Sequence, residues 1–118
     1  METGLLVATF VCIAINALEV AAKTVRARFV LQNSAEVGVG QRWLPYLAIL
    51  EGAGVVGLVA GLLGWPRLGL AAAIGLVLFF VGAVGAHIRA KVFHNIAFPA
   101  VFLALAVAAA GYFTGSVA

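Results

Sequence analysis

The chain has 118 residues, of which 65% are apolar and only 9% charged, with a mean hydropathy of +1.20 and a formal net charge of +3. A soluble domain carries roughly 45–50% apolar and about 25% charged residues, so that class is excluded. Disorder needs the opposite composition, and a disulfide scaffold needs more than the single Cys12. What remains is an integral membrane protein made as one membrane-embedded domain, an all-α bundle of four transmembrane helices in up-down order.

A helix crosses the roughly 30 Å hydrocarbon core with about 20 apolar residues. Four such runs are present, at about residues 4–22, 44–64, 68–88 and 96–114. Together they leave no room for a soluble domain. The first run has Glu2 where a signal peptide has basic residues, and reads as an uncleaved helix. Between the first and second runs lies the longest connection, about 23–43. There Val25, Phe29 and Val30 interleave with Arg26 and Arg28, which predicts an amphipathic, interfacial extension of the first helix. Gln32-Asn33-Ser34 reads as a break. The segment is either a surface connector or a lid over a site at that end.

Pro45 suits the first turn of the second span, Trp65-Pro66-Arg67 suggests a tight turn before the third, and Asn95 is a candidate N-cap for the fourth. Lys23, Arg26, Arg28, Arg42, Arg89 and Lys91 fall in two connections, against Arg67 alone on the opposite side. The positive-inside rule makes those connections cytoplasmic and both termini extracytoplasmic. The positive charge thus reports topology and not nucleic-acid binding. Trp43 and Tyr46 at one end, with Trp65 and Tyr112 at the other, suit two interfacial aromatic belts. The expected location is a cell membrane, of the bacterial inner-membrane type.

Small residues set the packing, because lipid supplies no hydrophobic drive between helices. Gly54, Gly57, Gly61 and Gly64 recur along the second span, and Ala71, Gly75, Gly82 and Ala86 along the third. Such stripes serve contacts within the bundle or contacts between copies in a homo-oligomer.

Polar groups inside spans are costly and mark sites. Thr9, Cys12, Asn16, Glu19 and Lys23 are spaced 3, 4, 3 and 4 apart, which puts them on one stripe of the first helix. Glu19 and Lys23 form an i,i+4 pair in the favourable order. Glu51 has only Leu47, Ala48, Gly54 and Val55 as helical neighbours, so it needs a tertiary partner or must stay protonated. Up-down topology brings Asn16, Glu19, Lys23, Glu51, His87, Arg89 and His94 to one depth at the cytoplasmic end. Glu51 paired to Arg89 is one candidate clamp.

The absence of Asp, of a Gly-rich phosphate loop and of CxxC argues against nucleotide binding and dithiol exchange. Two histidines straddling a helix end argue against a metal site or haem. Acid–base chemistry stays open, with Glu51 and His87 as the catalytic pair. Apolar walls would admit a quinone, an isoprenoid or an epoxide.

The run LEGAGVVGLVAGLLGWP followed by VGAVGAHIRAKVF resembles the DoxX-like family of small four-helix membrane proteins. The resemblance implies a membrane bundle linked to quinone and thiol redox systems, including subunits of thiosulfate:quinone oxidoreductase. Glu51, His87 and Arg89 match the family pattern; Asn16 and Glu19 rest on spacing alone. Two functional expectations follow. One is a binding protein or redox-complex subunit holding a quinone- or isoprenoid-like molecule over Asn16, Glu19, Lys23, Arg89 and His94, its electrons coming from a partner chain. The other is a membrane-embedded isomerase or hydrolase using Glu51 and His87. A structural scaffold is the third alternative.

Overall fold

The computed structural model describes residues 2–118. Among them are five α-helices and no strands: α1 (Glu2–Thr24), α2 (Arg28–Glu36), α3 (Leu44–Leu62), α4 (Pro66–Arg89) and α5 (Ala97–Val117). A 3₁₀ turn, Gln41–Trp43, leads into α3. Four segments are long and apolar enough to cross a membrane: α1, α4, α5, and α3 together with its leading turn. The bundle is 41 Å long, enough to cross a hydrocarbon core of roughly 30 Å. Large apolar side chains such as Phe10, Leu18, Ile49, Leu50, Val56, Leu78 and Val101 are exposed around its sides. A water-facing monomer does not tolerate so large an apolar surface; lipid does.

The spanning helices form a square in which α1 packs on α3 and α5, and α4 packs on the same two. Their core is Cys12 of α1, Leu58 of α3, Ala73, Leu76 and Phe80 of α4, and Ala106, Ala109 and Phe113 of α5. The glycines of α3 make the closest approaches. A Cβ on Gly57 would lie 2.5 Å from Ala72 Cβ, and one on Gly61 would lie 2.5 Å from the Cα of Gly69 and 2.7 Å from the Phe113 ring. The α3 stripe is therefore used inside the bundle, where backbone-to-backbone contact replaces the missing hydrophobic drive. On α4 the inward small residues are Gly69, Ala72 and Ala73, whereas Ala71, Gly75 and Gly82 of the expected stripe are exposed.

The ends differ in detail from the sequence expectation. Pro66 and Arg67 are already helical, and the turn is Leu63-Gly64-Trp65, with Gly64 at φ +123. The connection after α1 is not an extension of that helix. The chain breaks at Arg26, which sits at φ +54, and α2 then runs straight through Gln32-Asn33-Ser34. Those three residues do not break the helix because Asn33 spends its side chain on a distant partner and Ser34 is buried, so neither has to compete with the local backbone. Asn95 places no side-chain cap on α5; its amide is the partner of Asn33.

Candidate functional site

The polar stripe of α1 faces inward as the spacing requires: Thr9, Cys12 and Asn16 are wholly buried. Asn16 turns its amide back on its own helix, donating from Nδ2 to the Cys12 carbonyl at 2.8 Å. One and two turns further on, Glu19 and Lys23 reach the basic end of the bundle. Lys23 is the centre of a triad. Its Nζ donates to Glu51 Oε1 at 2.7 Å and to Glu19 Oε2 at 3.3 Å, with the side chains of Lys23, Glu19 and Glu51 exposed by 12%, 29% and 0%. The ring of Phe79 lies 6.0 Å from the ammonium.

Arg89 is not the partner of Glu51. It is exposed, and among the described residues it makes no ion pair. The reason is angular: Arg89 follows His87 by two residues, a turn of about 200°, so the two cannot both face inward. His87 takes the interior, only 3% exposed, with Nδ1 held 3.0 Å from the Ala83 carbonyl.

Beside the triad lies a cavity of about 920 Å³. Its apolar wall includes Phe79 and Phe80 of α4, Phe98 and Phe102 of α5, and Leu44 and Leu47 of α3. Glu19, Lys23 and His87 supply polar groups, and α2 closes one side with Phe29, Val30, Asn33 and Ser34. This segment therefore contributes part of the cavity wall. Two polar contacts fasten it to the loop between α4 and α5: Asn95 Nδ2 donates to Asn33 Oδ1 at 3.0 Å, and His94 Nε2 lies 2.7 Å from Glu36 Oε2. His94 thus sits at the rim, more than half exposed.

The anticipated residues fall into three groups. Glu19, Lys23, His87 and His94 line the cavity; Glu51 and Asn16 are buried and do not line it; Arg89 faces away. Glu51 touches the site only through Lys23, and no hydrogen bond joins it to His87. Sequence reasoning missed Glu36 and the Asn33–Asn95 contact. Asn33 and Glu36 are three apart, the spacing of one helical face, and that signal was hidden by reading the polar triplet as a break.

Four membrane-crossing helices around a cavity, with ionisable groups gathered at one end, define a small multi-pass membrane protein. The sequence profile of the DoxX-like family matches residues 7–109, and the chain belongs to that family. Comparison with curated proteins and with solved structures finds no match.

Proposed function

We propose that this protein binds a lipophilic small molecule, quinone- or isoprenoid-like in size and polarity, in the cavity under α2. The observation that supports this is the cavity itself. Its volume of about 920 Å³ lies within the range of small-molecule sites, roughly 300–1,000 Å³. Its phenylalanine-rich wall suits a hydrocarbon body, and the Glu19–Lys23 pair with His87 suits a polar head. The excess of Lys and Arg in the connections at this end supports a cytoplasmic orientation for it, with both termini outside. A role as a redox-associated subunit fits the family but draws on no redox group of this chain, since Cys12 is buried in the core. Electrons would have to come from the ligand and a partner protein. The acid–base enzyme reading gains no support from the geometry, because Glu51 is bonded to Lys23 and off the cavity wall.

The test is mass spectrometry of small molecules extracted from detergent-purified protein, with wild type beside Gly82→Phe. Gly82 lines the cavity, and a Cβ there meets no atom within 4 Å, so the ring can enter the space without displacing backbone. An apolar molecule held by the wild type and lost from the variant is the expected result. Identical extracts from both proteins would overturn the reading.

A further inference from the structure

Charge is unevenly matched at the end of the bundle that holds Lys23. The chain has four side-chain carboxylates. Glu19 and Glu51 are paired to Lys23, Glu36 meets His94, and Glu2 lies at the start of α1, the other end of the bundle. Arg26, Arg28, Arg42, Arg89 and Lys91 are all exposed, and among the described residues none of these five has a carboxylate partner. The protein supplies them no counter-ion. Two of them share one edge. Arg26, in the turn after α1, has Nη1 3.5 Å from Gln41 Oε1, and Gln41 precedes Arg42 in the 3₁₀ turn that opens α3. The Arg42 guanidinium lies 5.3 Å from the centre of the Trp43 ring, which is itself 5.9 Å from the Tyr46 ring. Val25, Trp43 and Tyr46, beside the two arginines, are exposed apolar or aromatic side chains.

We propose that Arg26 and Arg42 form a site for the head group of an anionic phospholipid in the leaflet at this end, on the edge between α1 and α3. The bundle is 41 Å long, against roughly 40–45 Å for a bilayer with its head-group regions, so side chains in the turns at its ends stand at head-group depth. Trp43 and Tyr46 are of the types that favour that depth. Arginine stays charged, and its planar fork donates two N–H groups to one phosphate. The contact with Gln41 uses at most one of the five N–H donors of Arg26 and leaves the others free. Lys23 cannot serve in the same way, because two carboxylates already hold it. The exposed Val25, Trp43 and Tyr46 offer contact to the glycerol and upper acyl region of a lipid, which a free phosphate lacks. A zwitterionic head brings its own ammonium and cancels most of the attraction, whereas an anionic head does not.

The experiment titrates purified protein in detergent with dioleoylphosphatidylglycerol or dioleoylphosphatidylcholine, which differ only in the head group, and counts bound lipid by native mass spectrometry. The wild type is expected to bind the anionic lipid about thirtyfold more tightly, the equivalent of about 2 kcal/mol from two basic residues at a membrane surface. Arg26→Gln with Arg42→Gln should bring that preference close to parity. Arg89→Gln with Lys91→Gln removes the same charge from the connection between α4 and α5, across the square from the α1–α3 edge, and should keep a preference of about tenfold or more. Equal binding of the two lipids by the wild type would overturn the proposal, even if no variant folds. An equal loss in both double variants would overturn it too, since a diffuse field over the whole end would then explain the preference. A preference that survives in a folded Arg26→Gln, Arg42→Gln protein would remove these residues as the site. Displacement of the lipid by inorganic phosphate at matched ionic strength would mark a free-anion site and overturn the assignment to lipid.

Discussion

Lys23→Met removes the ammonium and keeps the apolar stem, which makes it the cleanest probe of the triad. Among the described residues Lys23 supplies the only side-chain hydrogen bond that Glu51 receives in the wild type, at 2.7 Å, and the Glu51 side chain is wholly buried. Without Lys23 both carboxylate oxygens are orphaned. Breaking a buried pair from one side costs about 3–5 kcal/mol, whereas replacing both members by apolar groups is often neutral. The second contact, to a Glu19 that is 29% exposed, adds only the roughly 0.2–0.5 kcal/mol of a helical i,i+4 pair. Lys23→Met should therefore lose about 3–5 kcal/mol in SDS-driven unfolding from mixed micelles, followed by far-ultraviolet circular dichroism. Lys23→Met with Glu51→Leu should recover to within about 1 kcal/mol of wild type. Lys91→Met, at an exposed position outside the triad, is the control, and should stay within about 0.5 kcal/mol. If Lys23→Met unfolds no sooner than Lys91→Met, or the double variant loses as much as the single, the triad is not the buried, interdependent pair described here.

Two further outcomes test packing and topology. Gly61→Ala puts a methyl 2.5 Å from the Cα of Gly69, where no side chain can rotate away, and should cost about 1–3 kcal/mol by forcing α3 and α4 apart. Gly75→Ala meets nothing within 4 Å and should be neutral or gain up to about 1 kcal/mol from helix propensity; equal unfolding midpoints for the two would refute the close-approach account. In a Cys12→Ala background, a membrane-impermeant maleimide should label Gly115→Cys in intact cells and Lys91→Cys only after permeabilisation. The reverse pattern would refute the orientation drawn from the basic connections.

Much of the polar cluster was legible in the sequence. The 3-4 spacing of Thr9, Cys12, Asn16, Glu19 and Lys23 put them on one face, and burial of the first three follows from lipid's intolerance of polar groups. Glu51 had no helical neighbour able to neutralise it, so a tertiary partner or a proton was required. The geometry that rules out Arg89 was also in the sequence, as the two-residue step from His87. The continuous helix α2 was not legible, because whether Asn33 breaks a helix or continues it depends on Asn95, 62 positions away.

Composition and periodicity determined that the chain lies in a membrane, how many times it crosses, and which face of α1 turns inward. These follow from local rules: every backbone group must be satisfied within its own helix, and every polar side chain must avoid lipid. Only the tertiary structure decided which cation meets Glu51, whether the glycines of α3 contact a neighbouring helix or another copy, and that α2 covers a cavity. Those outcomes depend on which helices stand side by side. In a square of four, adjacency is set by close approaches such as Gly61 against Gly69 and Phe113, where shape, not hydrophobicity, selects the neighbour.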